Sequence, residues 1–157
     1  MTTIVSQISP QDRDRVIEIS RLQKNFLEEE IDVAVEVIDG SLTSGEDYDT
    51  LVARDDQERI WGFICFGAVP LTENRYDLYW IAVDPGAGRS GIGTRLLEAM
   101  ETRLCHGGSG HIYIDTSSTQ GYLPARNFYE KHGYQVVARL PDFYRPGDDK
   151  IIYRKIC

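Results

Sequence analysis

Positive charge is what this sequence is short of. Its 17 Lys and Arg stand against 25 Asp and Glu, for a formal net charge of -8 at pH 7 and a pI near 4.8. Such a chain repels the phosphates of nucleic acid and suits a cationic or neutral partner. Cysteine is also scarce. Cys65, Cys105 and Cys157 are an odd set without CxxC spacing, so neither a disulfide framework nor a zinc site is indicated, no metal is expected, and three free thiols are. Cys65 lies in a hydrophobic stretch with no His or basic neighbour and reads as core. Long apolar runs are missing too: stretches such as 60–66 fall far below the roughly 18 to 20 residues of a membrane span. No signal-peptide pattern opens the chain. No membrane partner and a cytoplasmic location are therefore expected.

What is present belongs to a folded protein, with 41% apolar, 10% aromatic and 27% charged residues over 157 positions. That length suits one domain spanning 1–157. Residues 4–8 read as a strand, and Ser9-Pro10-Gln11-Asp12 as a helix start. Val16, Ile19, Leu22 and Phe26 form a helical stripe, and Ile31, Val35, Ile38 and Leu42 a second, ended by Gly40 and the Ser/Thr/Gly run to Gly45. Strands follow at 50–54, 60–69 and 76–83, with a loop at 70–75. A helix opens near Gly91 and carries Ile92, Leu96, Leu97, Met100 and Leu104. Then come a strand at 111–116, a helix at 124–132, a strand at 134–140, a loop at 141–149 and a last strand at 150–156. The order predicts an α+β fold, with helices flanking a mixed central sheet.

The strand 76–83 runs through Asp84-Pro85 into Gly86, Gly88 and Gly91, which satisfy GxGxxG, and Asp115 ends the next strand where a dinucleotide-binding protein keeps its ribose carboxylate. About 85 residues precede the motif and only one strand-helix-strand unit is available, so a complete dinucleotide fold does not fit. A P-loop reading of 88–94 lacks its lysine, since Ile92 stands near that place. Both readings share their physics: a glycine turn opening a helix exposes N–H groups at the positive end of the helix dipole, where a pyrophosphate binds. Arg89 adds a charge-assisted contact. A turn that uses glycine only for its backbone angles is the plainer alternative.

Two segments carry a resemblance. Ala82-Val83-Asp84-Pro85 followed by residues 89–97 (RSGIGTRLL), and residues 125–134 (ARNFYEKHGY), resemble the GNAT superfamily of acyl-coenzyme A-dependent N-acyltransferases, with the element order matching along the chain. The family usually has Arg or Gln where this chain has Gly88, with Arg89 one residue later, and often Asn where it has Tyr122.

The resemblance implies a mostly antiparallel sheet with a bulged strand, and acetyl-coenzyme A as co-substrate. The pantetheine arm would lie along Ile81, Ala82 and Val83, and the pyrophosphate over Gly88, Arg89, Ser90, Gly91, Ile92, Gly93 and Thr94. An N–H near Ile81 or Ala82 would polarise the thioester carbonyl. Tyr129 would protonate the departing thiolate. Asp77, or a water relay, would take the proton of the amine, with Glu73 and His111 as alternatives. The acceptor pocket would be formed by the first two helices and the loops 70–75 and 141–149, whose Asp142, Asp148 and Asp149 attract a cation or are merely solvated. The activity implied is acetyl transfer to a primary amine of a small molecule, peptide or protein, by direct attack in a ternary complex. The competing function is an acyl-coenzyme A sensor without turnover. No nucleic-acid partner is expected, and a homodimer stays open.

Overall fold

The computed structural model describes residues 2–43 and 47–157, so the predicted helix stop at Gly45 lies outside the described residues. Among the described residues seven strands form one sheet in the order β1-β2-β3-β4-β5-β7-β6. The strands are β1 (Thr3–Gln7), β2 (Asp49–Asp55), β3 (Ile60–Ala68), β4 (Arg75–Val83), β5 (His111–Ser117), β6 (Gln135–Arg145) and β7 (Asp148–Ile156). Every pairing is antiparallel except β4 with β5. This is the mixed sheet that the element order predicts, mostly antiparallel as the resemblance implies.

Period-two alternation divides the core between the two faces of the sheet. Leu51, Ala53, Ile64, Phe66, Leu78, Ile112 and Ile114 pack with α3 (Ile92–Leu104) and with Tyr129 of α4 (Leu123–Lys131). Their neighbours Val52, Phe63 and Cys65 face α1 (Arg13–Arg21) and α2 (Glu28–Thr43). Cys65 is fully buried, as the sequence indicates, and burial pushes its thiol up to about 12. It is no nucleophile. No helix is long and apolar enough to cross a membrane among the described residues.

Four sequence expectations need correction. Gly40 does not end α2 but lies inside it, beneath Tyr48, whose ring carbon would stand 2.7 Å from a methyl group there. Phe26 lies beyond α1, in the connection to α2, because that helix ends at Arg21. The loop expected at 141–149 is mostly strand: β6 and β7 meet across Pro146 and Gly147, with Gly147 at φ 81°. There Asp142 and Asp149 are tied into the hairpin, Asp149 accepting the Asp142 N–H at 2.8 Å and pairing with Arg139 at 2.7 Å.

The fourth correction concerns the thiols. Cys105, just after α3, and Cys157, just after β7, form a disulfide, with Cα atoms 5.0 Å apart. Reciprocal backbone bonds between Gly110 and Cys157, at 2.9 and 2.8 Å, bring the two cysteines together. A separation of 52 residues left no local trace of this.

Candidate active site

Strands β4 and β5 pair from Arg75–His111 to Leu78–Ile114 and no further. On the other side of β4 the register with β3 slips between Cys65–Trp80 and Phe66–Leu78, which leaves Tyr79 as the extra residue of a bulge. Beyond it the ends of β4 and β5 diverge. The Asp84 N–H donates to Trp61 O at 2.7 Å, so by alternation Ala82 also turns its backbone groups toward β3. Ile81 and Val83 turn theirs the other way, and the Val83 carbonyl accepts from Gln23 Nε2 at 3.0 Å.

A cleft of about 720 Å³ occupies the divergence, lined by Leu78 to Ile81 of β4 and Ile114 to Ser117 of β5, with Tyr129 of α4. Tyr129 is 7% exposed. Burial first, then the neighbouring Tyr122 and Tyr153, raise its hydroxyl well above the ordinary tyrosine value, so it keeps its proton. Tyr122 lines the cleft as well, and its hydroxyl donates to Asn25 O at 3.0 Å. Asn25 Nδ2 in turn donates to Gly121 O at 2.6 Å, so the α1–α2 connection bridges to the segment after β5.

The cleft also receives Glu30, a residue that the sequence reading missed because an acidic first turn of a helix is ordinary. Burial raises its carboxyl above the usual range, against hydrogen bonding to Tyr122 and the charge of Arg145. Of the other lining carboxylates, Asp115 pairs with Lys150 at 3.0 Å and Asp148 with Arg145 at 2.8 Å, while the exposed Glu29 makes no ion pair among the described residues. Ser117 Oγ also donates to Asp148, at 2.5 Å. The wall formed by Tyr144, Arg145 and Asp148 comes from the β6–β7 hairpin as expected, whereas the loop 70–75 does not line the cleft.

Asp77 does not line it either. It lies one residue before the last β4–β5 pair, between Gly67 and Tyr113. Burial raises its carboxyl, Asp115 adds to the rise and Lys150 opposes it. Glu73 is exposed in the turn before β4. His111 opens β5 with its Nδ1 shielded and without a hydrogen-bond partner among the described residues, and its pKa is lowered by burial and by Arg75 and Arg154. Neither reaches the cleft.

The glycine turn follows β4 directly. Gly88 and Gly91 have φ of 63° and 76°, a region that favours glycine, and among the described residues no atom beyond the chain neighbours stands within 4 Å of where a side chain would begin at either. Gly91 caps α3 and accepts the Arg95 N–H at 3.1 Å, so helix geometry leaves Ile92, Gly93 and Thr94 with N–H groups that have no acceptor inside the helix. Ser90 Oγ is buried and has no hydrogen-bond partner among the described residues, and Arg89 is exposed. Open space, free donors and an orphaned hydroxyl at a helix N-terminus fit a pyrophosphate. The diverging strands fit the arm attached to one.

A family model described as an acetyltransferase (GNAT) domain matches residues 46–136. The chain belongs to the GNAT family of acetyltransferases. A GNAT-family protein from Desulfovibrio desulfuricans is 38% identical to it, with 99% of each chain covered and a TM-score of 0.92. The ribosomal-protein-S18-alanine N-acetyltransferase of Escherichia coli is 20% identical over 99% of this chain and 94% of its own, with a TM-score of 0.78. The PaiA N-acetyltransferase of Thermoplasma acidophilum, solved with coenzyme A, is 22% identical over the full length of both, with a TM-score of 0.75. At those last identities the likeness is one of fold. No curated protein sequence matches the chain.

Proposed function

We propose that this GNAT acetyltransferase transfers acetyl from acetyl-coenzyme A to a primary amine by direct attack in a ternary complex. The observation that carries the reading is the cleft where β4 and β5 part, with the protonated Tyr129 and the outward backbone groups of Ile81 along it. Acetyl-coenzyme A supplies an acyl carbon already activated as a thioester. Ile92, Gly93 and Thr94 hold the pyrophosphate with their N–H groups, and Ser90 and Arg89 add side-chain contacts. Ile81 and Val83 direct backbone groups toward the arm, and the Ile81 N–H is the candidate oxyanion donor. Ala82, whose backbone faces β3, supports them.

Tyr129 keeps a proton at its hydroxyl for the departing thiolate. The acceptor amine must lose one, since a lysine-like amine has a pKa of about 10.4. Asp77 stands outside the cleft lining, so its part in that step runs through water, while Glu30 reaches the cleft itself and holds the cationic acceptor. Both carboxyls have raised pKa values, which makes each a stronger base at neutral pH.

Calorimetry with coenzyme A, followed by thiol release from acetyl-coenzyme A across a panel of small amines and peptides, tests the reading. Binding with amine-dependent thiol release supports it. Binding with no transfer to any amine makes the protein a sensor. Asp77→Asn and Glu30→Gln then separate the two carboxylates: loss of the acidic limb of kcat/KM identifies the base, and a raised acceptor KM with kcat retained identifies the group that holds the cation.

A further inference from the structure

Beyond its chain neighbours and among the described residues, a side chain at Gly88 or Gly91 would meet nothing within 4 Å, so apart from the local Gly88 N–H to Pro85 O bond at 3.3 Å the turn that opens α3 is not shaped by packing at its own glycines. It is held from behind, at Asp84. The Asp84 N–H is fixed to β3 through Trp61 O at 2.7 Å, and its carbonyl accepts the Ala87 N–H at 2.9 Å. One carboxylate oxygen accepts the Gly86 N–H at 2.8 Å, and the other accepts Arg15 Nη2 at 2.5 Å. Arg15 belongs to α1, on the opposite side of the sheet from α3 and outside the residues that the family model matches.

Arg15 has little freedom to leave this position. Its Nε donates to Ile60 O at 3.1 Å and its Nη1 to Glu18 at 3.0 Å, so three separate acceptors fix the guanidinium plane. The Arg15 and Asp84 side chains are 20% and 9% exposed. Arg59, the other cation near Asp84, is 3.9 Å away, 57% exposed and stacked over Trp61, so it is a poor substitute. Without Arg15 the Asp84 carboxylate would be buried almost alone, and the cheapest relief is for it to turn toward water and release Gly86.

We infer that Arg15 is a positioning residue for the cofactor: by clamping Asp84 just beyond the end of β4 it fixes the turn whose N–H groups receive the coenzyme A pyrophosphate. This rests on the cofactor reading given above. Arg15 touches no part of the ligand, so it acts on affinity for the pyrophosphate and not on the chemical step.

The test compares coenzyme A with pantetheine, which lacks the pyrophosphate, by calorimetry on the wild type, Arg15→Gln, Arg15→Lys and Glu18→Gln. Arg15→Gln weakens coenzyme A binding by about tenfold, the scale of one charge-assisted hydrogen bond, and leaves pantetheine affinity unchanged. Arg15→Lys keeps the charge but not the fork, so it falls between the two. Glu18→Gln keeps a side-chain oxygen to accept from Arg15 Nη1 at a largely exposed position, so it binds as the wild type does. If Arg15→Gln does not fold, Arg15→Lys alone must show the selective loss. Wild-type coenzyme A affinity in the folded Arg15 variants, or equal loss of both ligands, overturns the inference. A wild type that binds no coenzyme A overturns the cofactor reading itself.

Discussion

Gly93 stands against Phe128: a methyl group at Gly93 would lie 3.4 Å from the edge of the Phe128 ring. Phe128 in turn lies 4.7 Å from the His132 ring, whose Nε2 is 3.1 Å from the Thr94 hydroxyl. The first turn of α3 is thereby seated on α4, the helix that carries Tyr129.

A first prediction follows from that contact. Gly93→Ala fits with a shift of a few tenths of an ångström, whereas the branches of Gly93→Val press on Phe128 or on the N–H groups of the turn. Coenzyme A affinity should fall by about tenfold or more in Gly93→Val and change little in Gly93→Ala. Calorimetry on both variants checks this, and unchanged affinity in the valine variant would count against a pyrophosphate over this turn.

Tyr129→Phe removes the buried hydroxyl and keeps the ring. The ring lies 5.9 Å from Tyr153 and 6.4 Å from Tyr134, so the packing should survive. We expect kcat to fall by roughly 10- to 1000-fold at nearly constant coenzyme A affinity. Because coenzyme A thiol is a fair leaving group, the effect should sit toward the lower end. A variant with wild-type kcat, in a reaction limited by chemistry, makes Tyr129 a packing residue.

Acid should destabilise the fold through two buried carboxylates. Burial alone would raise Asp12 and Asp84. Hydrogen bonds and charge from Arg54 and Ser9 for Asp12, and from Arg15 and the Gly86 N–H for Asp84, outweigh it and leave both below the ordinary 3.8. A carboxyl whose folded pKa is depressed contributes stability that is present above its unfolded pKa and lost as pH falls through the folded one. The melting temperature should therefore hold above about pH 5 and drop below about pH 4. Asp12→Asn should lower the plateau and flatten that drop, and melts from pH 2 to 7 measure both.

The disulfide closes a loop with a sequence separation of 52 residues. Loop-closure entropy for that length corresponds to about 4 kcal/mol, an upper figure because residual structure in the unfolded chain lowers it. Reduction, or Cys157→Ser, should lower the urea midpoint without changing coenzyme A affinity. An identical midpoint for oxidised and reduced protein would show that the ladder alone holds the C-terminus.

The sequence by itself determined the order of elements, the apolar stripes of the helices and the glycine turn. These are written locally, in side-chain period and in residues that tolerate positive φ. Gly91 and Ile92 mark a helix start wherever the chain places them, and the buried pattern Ile92, Leu96, Leu97, Met100, Leu104 follows from a 3.6-residue turn. The hairpin at 146–147 was less legible, because Pro141 and three aspartates look like loop until Arg139 and Arg145 neutralise two of them.

Only the tertiary structure decided the contacts made across the sheet. Arg15 and Asp84 are 69 residues apart, and nothing in either segment names the other as its partner. The same holds for Cys105 with Cys157 and for Glu30 in the cleft. Asp77 was legible as a carboxylate near the bulge, but which side of the strand faces the cleft depends on where the register slips, and that slip is a property of β3 and β4 together. Period and backbone preference are carried by neighbours in the chain. Burial, ion pairing and pKa are set by whatever the fold brings close.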